Sequence, residues 1–366
     1  MKRIIHDNIH FDGRRLDSYG KSFNIIITER ETGKSTWAYT KMYKAYFHKH
    51  RPSILIRRMI VDITDVWIES VADTINQFLP DEKKIKLFYK KGAIKDGVVN
   101  VYIQGRPDVF FMVIALSNPK SRIKSLVLED PMYIIFDEFV LDTTTGEKWL
   151  SNEAQRFQDL YATFARHATK YGQKLRCYFL GNPYTVYSPY MVWLDIRLSD
   201  VKPGCFLIGK DYIVDCQQLK PELKQWLLKN NPLYQFDNSF TRYLFGEAIN
   251  DSRFLIQEKQ PVGYTLKYIY RVNHRLLGIY WCPSGKKDHY NVDYGKFWIS
   301  ILPDYKGSKT VIACNFDDLV IGNKTTLASP QMKSATFYLR QAIGNMNVTY
   351  QSIECGYLIE GIYTLI

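Results

Sequence analysis

Runs of apolar residues alternate with amphipathic segments over the first 200 or so residues of the chain. An apolar strand is predicted at 24–27, and the continuous apolar stretches at 109–116 and 132–136 are typical of strands buried on both faces of a sheet. Apolar positions recur every three or four residues in segments 63–79 and 151–171, which predicts a helix in each. This alternation indicates an α/β fold with a mainly parallel sheet covered by helices.

Two further predicted strands and a basic hairpin complete this region. Residues 53–56 form a short apolar strand that ends in Arg57 and Arg58, and residues 175–180 form another buried strand. Residues 83–103 predict a hairpin, which carries Lys83, Lys84, Lys86, Lys90, Lys91 and Lys95. These lysines are typical either of a contact with a phosphate backbone or of a hairpin kept soluble by its charge.

The pattern changes after residue 200. A Lys-Pro-Gly segment and a short helix predicted near 221–229 are typical of a linker, and β-type segments dominate from about residue 254. Segments 264–270 and 277–281 are predicted to pair across Asn273. We therefore expect three domains, at 1–200, 201–253 and 254–366.

A phosphate-binding loop is predicted where the first strand runs into a helix. Lys34 of a Gly-Lys-Ser sequence would reach the β- and γ-phosphates of a nucleotide, and the Ser35 hydroxyl would hold Mg²⁺. Thr28 replaces the first glycine of the consensus loop. The residues predicted to surround the phosphates are Thr28, Thr32, Gly33, Lys34, Ser35 and Thr36.

Two carboxylates follow the apolar strand at 132–136, about 100 residues after the loop. Asp137 would hold Mg²⁺ through water, and Glu138 would polarise the water that attacks the γ-phosphate. The alternative is that the Asp-Glu pair merely ends a strand. The spacing leaves room for an extra strand, as in the additional-strand, catalytic-glutamate (ASCE) ATPases. Asn182, after the next strand, would lie beside the γ-phosphate unless it belongs to an ordinary Gly-Asn-Pro turn.

Basic side chains elsewhere are candidates to act on a neighbouring subunit's nucleotide. Arg156 and Arg166 share one face of the predicted helix at 151–171, and we expect Arg166 to be the arginine finger. The alternative is a solvated polar face. Lys120, Arg122 and Lys124 precede the Asp-Glu strand, and they are either solvated loop charges or a second acting cation.

The composition of the chain indicates what kind of partner and cellular environment to expect. The net charge is +12, which favours a polyanion such as nucleic acid, although solubility alone is the other explanation. The six cysteines are widely spaced, as expected for reduced thiols in a cytosolic protein. No signal peptide and no apolar run of about 18 residues is found, so we expect no membrane association.

Taken in order, these motifs resemble the DNA packaging ATPases of small phi29-type podophages, which are related to the large terminases. The segments that carry the resemblance are 28–35, 56–58, 134–139 and 175–182, with weaker similarity at 245–248 and 277–280. The resemblance implies a ring, expected to be a homopentamer, that docks on the portal of an empty capsid and drives double-stranded DNA inward with ATP and Mg²⁺. Its expected location is the host cytoplasm, transiently on the procapsid, and whether a packaging RNA joins motor to portal stays open.

The resemblance also implies roles for particular residues. Arg30 matches an arginine of the family's phosphate loop, Lys124 matches its trans-acting lysine, and Arg166 falls near its arginine finger. The family's C-terminal domain is an RNase H-like fold that no longer cuts DNA. The expected first strand, at 264–270, has no acidic residue, so a vestigial nuclease that docks on capsid or nucleic acid is predicted here. The alternatives are a nuclease-competent terminase and an ATP-binding scaffold without translocase activity.

Overall fold

The computed structural model describes most of the chain. The described residues are 10–141, 149–150, 153–170, 174–182, 188–194, 196, 201, 204–217, 220–230, 255–272, 274–285, 287, 293, 295–314, 318–320, 325–327, 339, 342, 347–352, 354–356 and 358–359. The chain divides into two compact units, 1–249 and 250–366, and each is described by itself. The division into three domains stays a prediction.

A nine-stranded sheet forms the centre of the first unit. Its strands are β1 Phe23–Ile27, β2 Ser53–Arg57, β3 Leu87–Tyr89, β4 Val98–Ile103, β5 Val109–Ala115, β6 Tyr133–Asp137, β7 Arg176–Gly181, β8 Cys205–Ile208 and β9 Tyr212–Cys216. Their order is β3-β4-β5-β2-β6-β7-β1-β9-β8. Strands β5, β2, β6, β7, β1 and β9 are parallel, and an antiparallel hairpin extends the sheet at each edge.

The order of the central strands places one extra strand between the loop strand and the Asp-Glu strand, as predicted, but this strand follows Asp137 in the chain and does not lie in the segment that separates the two motifs. Strand β7 lies between β1, which precedes the phosphate loop, and β6, which ends in Asp137. Residues 205–216, which the sequence places in a linker, form β8 and β9, and β9 pairs with β1. Buried Ile213 and Val214 give β9 the apolar character of an internal strand, but four to five residues are too few for periodicity to reveal this.

Helices cover both faces of this sheet. The α-helices described in this unit are α1 Arg14–Ser18, α2 Lys34–Lys49, α3 Asp65–Asn76, α4 Lys120–Lys124, α5 Glu153–Lys170, α6 Pro189–Trp193 and α7 Pro221–Asn230. Helix α3 begins two residues later than predicted because the Thr64 side chain caps it, accepting a hydrogen bond from the Trp67 N–H at 3.1 Å. None of the described helices is long and apolar enough to cross a membrane.

Alternate residues of each central strand feed two separate cores. Ile26, Leu55 and Ile135 pack with α2 and α3 on one face of the sheet. Ile25 and Phe136 point to the opposite face and pack with α5 and α6. Burial on both faces makes the central strands a rigid platform for the loops at their carboxyl ends.

The second unit contains a seven-stranded sheet. Its strands are β10 Leu255–Ile256, β11 Thr265–Val272, β12 Arg275–Cys282, β13 Lys296–Leu302, β14 Val311–Ala313, β15 Thr325–Leu327 and β16 Val348–Tyr350. The order is β10-β16-β13-β12-β11-β14-β15, in which β11, β12 and β13 are antiparallel neighbours and β14 and β15 run parallel to β11. The core order β13-β12-β11-β14-β15 is that of the predicted RNase H-like fold, and the predicted pairing of β11 with β12 is confirmed.

Candidate nucleotide site

The loop between β1 and α2 reverses the chain at the carboxyl edge of the sheet. Gly33 has φ +86° and immediately precedes the first residue of α2, and Glu31 also has a positive φ, of +62°. A left-handed conformation costs a non-glycine residue roughly 1–2 kcal/mol, so the surrounding contacts must hold this loop in shape. One such contact is the Phe11 N–H, which donates to the Thr32 carbonyl at 2.8 Å.

Lys34 lies inside this loop with its ammonium group surrounded by oxygen acceptors. Its Nζ donates to Oδ1 of Asn182 at 2.6 Å and to the carbonyls of Thr28 and Glu29 at 3.3 and 3.2 Å. Burial lowers the pKa of Lys34 to about 8, against the opposing attraction of Asp137, Glu138 and Glu29. A polyanion in the loop would supply the compensating charge that this buried cation needs.

Ser35 and Asp137 come together from opposite sides of the site. The Ser35 hydroxyl donates to Oδ1 of Asp137 at 3.2 Å, and the Tyr39 hydroxyl donates to the other carboxylate oxygen, Oδ2, at 2.9 Å. Hydroxyl and carboxylate oxygens are the hard ligands that Mg²⁺ prefers, so this donor pair fits the expected ion. Burial raises the pKa of Tyr39 well above its usual value, which keeps Tyr39 a hydrogen-bond donor.

Glu138 follows β6 in a left-handed conformation with φ +59°. Its side chain is 60% exposed and pairs with Nη1 of Arg57 at 3.1 Å, and the Arg57 guanidinium lies 5.1 Å from the centre of the Trp67 ring. The Glu138 N–H donates to Oδ1 of Asp137 at 3.1 Å. The exposed carboxylate is therefore oriented by an arginine from the neighbouring strand β2.

Gly181 allows the end of β7 to approach the segment that follows Glu138. A Cβ atom at Gly181 would lie 2.6 Å from Cγ2 of Val140 and 2.7 Å from Cε1 of Phe139. The Phe139 N–H also donates to the Leu180 carbonyl at 3.2 Å. This close packing holds the end of β7 against the segment after Glu138, and the Thr28 N–H, which donates to the Gly181 carbonyl, joins the same end of β7 to the loop after β1.

The remaining predicted loop residues surround this centre. Thr28 is buried, its N–H donates to the Gly181 carbonyl at 3.2 Å, and its hydroxyl turns to Oε2 of Glu29 at 3.4 Å. The Thr32 hydroxyl donates to the Glu29 carbonyl at 3.1 Å. Thr36 is half-buried in the first turn of α2. Arg30 is exposed, and its charge is close enough to contribute to the lowering of the Lys34 pKa.

A cleft of about 1080 Å³ opens beside the loop. The lining residues include Gly33, Lys34, Ser35 and Thr36, and the cleft continues along α2 past Trp37 to Lys41 and Lys44. Its other wall is formed by the residues around His10 and Phe11 and by the segment 77–81. A cleft of this size has room for a nucleotide.

The candidate trans-acting residues lie on helices away from this centre. Lys124, at the end of α4, and Arg166, on α5, are both exposed. Arg156, the second candidate finger, is half-buried and donates to the Asn118 carbonyl at 3.2 Å. Lys120 pairs with Asp159 at 3.2 Å, so it connects α4 to α5. The structure thus brings together Lys34, Ser35, Asp137 and Asn182, but it places neither Lys124 nor Arg166 with them.

Tyr39 and Arg57 are site residues that the sequence did not single out. Tyr39 lies four residues after Ser35, on the same face of α2, and that spacing could have indicated it. Arg57 was recognised only as the end of a strand. Its contact with Glu138 depends on β2 lying next to β6, which the local sequence does not reveal.

The first unit has the fold of a P-loop ATPase: an α/β sheet in which β7 lies between the loop strand β1 and the Asp-Glu strand β6, with a Gly-Lys-Ser loop after β1 and Asp137 at the end of β6. The chain is similar over nearly its whole length to two solved viral motors. The bacteriophage Phi-29 viral genome packaging motor assembly matches with a TM-score of 0.64 and 18% identity, covering 98% of this chain and 99% of that one. The Phi-28 gp11 DNA packaging motor matches with a TM-score of 0.60 and 16% identity, covering 97% of each chain.

These structural matches confirm the resemblance inferred from the motifs at the level of the fold, across both units. No protein-family model matches the chain. No curated protein matches it either.

Proposed function

We propose that this protein is an ATP-driven motor that moves double-stranded DNA into a preformed viral capsid through its portal. The observation that carries the proposal is the meeting of Lys34, Ser35, Asp137 and Asn182 at the carboxyl edge of one sheet. These groups come from the start of α2, the end of β6 and the residue after β7, which are far apart in the chain. Lys34 and Ser35 also line the cleft, and the meeting of all four groups supports a nucleotide site better than a strand end with an incidental Asp-Glu pair.

Each residue has a definite part in this proposal. Lys34 would bind the β- and γ-phosphates, and Ser35 with Asp137 would hold Mg²⁺, which shields the phosphate charges when bound. Glu138 would orient the attacking water. Asn182, already in contact with Lys34 at 2.6 Å, would contact the γ-phosphate and distinguish ATP from ADP.

Hydrolysis would be completed at contacts between subunits of a ring. Arg166 and Lys124 are exposed on α5 and α4, which pack together through the Lys120–Asp159 ion pair. A neighbouring subunit's nucleotide placed against this face would meet two cations that stabilise charge in the transition state. We expect a homopentamer that works in the host cytoplasm while bound to the procapsid, with or without a packaging RNA.

The basic hairpin of β3 and β4 is our candidate DNA contact. Strand β3 is the edge strand of the sheet, and the six lysines predicted for this hairpin are all exposed. Of these, Lys84 pairs with Asp81. Such contacts recognise phosphates rather than bases, so we expect DNA affinity to fall steeply with salt and to depend little on sequence.

The second unit would serve as a docking module and not as a nuclease. Strand β11, the central strand where a two-metal nuclease needs a carboxylate, has no acidic residue. Asp318, beyond β14, is fully buried, and its Oδ1 accepts a hydrogen bond from the His274 N–H at 2.6 Å. This carboxylate stabilises the turn between β11 and β12. Asp293 is also engaged, by the N–H groups of Ser284 and Gly295.

The first experiment compares ATP hydrolysis by the wild type, Lys34→Ala and Glu138→Gln, each with and without double-stranded DNA. We expect the wild type to be stimulated by DNA, Lys34→Ala to lose nucleotide binding, and Glu138→Gln to bind ATP but to lose stimulated hydrolysis. Wild-type hydrolysis that does not respond to DNA would favour the ATP-binding scaffold. Full turnover by Glu138→Gln would remove Glu138 from the proposed mechanism.

A second experiment separates the motor from a cutting terminase. Purified protein is incubated with supercoiled plasmid and Mn²⁺, and nicked and linear products are measured on a gel. We expect the plasmid to stay supercoiled. Nicking that survives Glu138→Gln but is lost when a carboxylate of the second unit is replaced would establish a competent nuclease.

A further inference from the structure

A buried arginine, Arg58, binds two consecutive backbone carbonyls, those of Glu138 and Phe139. Its Nη1 donates to the Glu138 carbonyl at 3.3 Å, and its Nη2 donates to the Phe139 carbonyl at 2.7 Å. The Arg58 side chain is 10% exposed. Two carbonyls of the turn that follows β6 are therefore fixed by one planar guanidinium group.

The rest of the guanidinium is held by a fully buried carboxylate. Nε of Arg58 lies 3.1 Å from both carboxylate oxygens of Glu153, the first residue of α5, whose side chain has no exposed surface. Glu153 is held in turn: the Tyr190 hydroxyl donates to its Oε1 at 2.8 Å, and the Leu150 N–H donates to its Oε2 at 2.9 Å. The carboxylate therefore cannot move without breaking several hydrogen bonds.

Aromatic rings enclose the same arginine. The Arg58 guanidinium lies 4.9 Å from the centre of the Trp149 ring and 5.6 Å from that of Phe136. These contacts exclude water, so the charged hydrogen bonds inside are stronger than they would be on the surface. The orientation of the guanidinium, and with it the two carbonyls that it binds, is set by this enclosure.

Arg57 and Arg58 contact different parts of Glu138. Arg57 pairs with the carboxylate, whereas Arg58 binds the backbone of a residue whose φ, +59°, is unfavourable for a side chain with a Cβ atom. Glu153 stands at the beginning of α5, the helix that carries Arg156 and Arg166. The same pair of charges therefore joins the Glu138 turn to α5.

From these contacts we infer that Arg58, held by Glu153, is a positioning residue for hydrolysis. It keeps the Glu138 peptide in its left-handed conformation and fixes that peptide to the N-terminus of α5. Loss of the contact between Arg58 and this backbone leaves the phosphate loop intact. It lets the Glu138 carboxylate move away from the water molecule that it would orient. The inference rests on the proposed ATPase function and adds to it a group that does not touch the nucleotide.

The chain offers a matched control at the other end of the same two strands. Arg51 precedes β2, has a 10% exposed side chain, pairs with Asp130 at 2.8 Å, and donates to the carbonyls of Asp130 and Pro131. Arg51 thus has the burial, the ion pair and the two carbonyl contacts of Arg58. It differs in lying at the amino edge of the sheet, away from Glu138.

The experiment compares Arg58→Lys with Arg51→Lys, because lysine keeps the charge and loses the planar fork. Thermal unfolding, binding of a fluorescent ATP analogue, and the kcat and KM of DNA-stimulated hydrolysis are measured for each. We expect kcat of Arg58→Lys to fall about 10-fold or more, with analogue affinity and KM within about 3-fold of wild type. We expect Arg51→Lys to lose comparable thermal stability and to retain its kcat.

Full kcat in Arg58→Lys, or an equal loss of kcat in both variants, overturns the inference. If Arg58→Lys does not fold, Glu153→Gln tests the inference instead. The amide of this variant keeps the shape of the side chain and an acceptor for Nε of Arg58 but removes the charge. Its kcat should fall in the same way at unchanged analogue affinity, and full kcat overturns the inference. A wild type that hydrolyses no ATP contradicts the proposed function, whereas wild-type hydrolysis with insensitive variants contradicts only the role of Arg58.

Discussion

The side chains of Lys34 and Asn182 are joined by a 2.6 Å hydrogen bond across 148 residues of sequence. Lys34 begins the helix that follows β1, and Asn182 follows β7, the strand next to β1. The amide oxygen is thus placed where a phosphate would also meet the ammonium group. Binding of a triphosphate must therefore share or displace this contact.

Replacing Asn182 by Asp should weaken nucleotide binding. The new carboxylate would form an ion pair with Lys34 and repel the triphosphate, so we expect the ATP dissociation constant to rise about 10-fold or more. Asn182→Ala is the comparison, since it removes the contact without adding charge, and its ATP affinity should fall less than that of Asn182→Asp. Titration calorimetry measures both, and equal affinities for the two variants would contradict the prediction.

The low pKa of Lys34 predicts that nucleotide binding takes up a proton. Burial lowers this pKa to about 8, whereas a bound triphosphate would raise it by direct attraction. Near pH 9 the free protein would hold Lys34 mostly neutral, and binding would protonate it. Calorimetry at pH 9 in two buffers of different ionisation enthalpy should show an uptake approaching one proton per site. Lys34→Arg, which stays charged, should show none of this uptake.

The Lys34 amine also makes the free energy of unfolding depend on pH. Because the pKa of Lys34 is lower in the folded protein than its usual value of 10.5, the unfolded chain binds more protons between about pH 8 and 10.5. The contribution of Lys34 to the free energy of unfolding therefore rises with pH across this window. The free energy of unfolding of the wild type minus that of Lys34→Met, measured with urea, should be more positive at pH 10 than at pH 7.5, and a constant difference would argue against the lowered pKa.

Tyr39→Phe should affect the metal requirement more than nucleotide binding. The substitution removes the hydroxyl that donates to Oδ2 of Asp137 at 2.9 Å and keeps the ring that packs in the core. The carboxylate then loses a fixed orientation. We expect the Mg²⁺ concentration for half-maximal hydrolysis to rise about 2- to 5-fold, and Asp137→Asn to give a much larger rise. An unchanged Mg²⁺ dependence would show that the Tyr39 hydroxyl does not orient the carboxylate.

Gly181→Ala should destabilise the first unit and impair hydrolysis together. The added Cβ would lie within 2.7 Å of side-chain atoms of Phe139 and Val140, so the segment after Glu138 must shift, at a cost of about 1–3 kcal/mol. Gly92→Ala is the matched control, because a Cβ there meets no atom within 4 Å. Urea unfolding and DNA-stimulated hydrolysis should change for the first variant and stay near wild type for the second.

The sequence predicted the elements that carry the nucleotide site because their patterns are local. The apolar runs that became β1, β5 and β6 are continuous, and the amphipathic period of α5 is regular, so their positions agree closely with the structure. The Gly-Lys-Ser tripeptide and the Asp-Glu pair were recognisable for the same reason.

The sequence did not predict the contacts that depend on the order of strands in the sheet. Nothing in the sequence around Arg57 and Arg58 shows that β2 lies beside β6, so neither arginine could be placed against Glu138. The pairing of β9 with β1 was missed because it joins segments nearly 190 residues apart. The roles of Lys124 and Arg166 stay predictions, since they concern contacts between subunits.

Strand β1 is hydrogen-bonded on both sides, to β7 and to β9, although it begins near the amino end of the chain. The strand that leads into the Gly-Lys-Ser turn therefore lies in the interior of the sheet. The β8–β9 hairpin pairs with one side of this strand and stabilises it. The amides of β1 should be among the slowest to exchange with deuterium, far slower than those of the edge strand β3. Force applied to the first unit would then deform the β3–β4 hairpin, at the opposite edge of the sheet, before the strand that precedes the Gly-Lys-Ser loop.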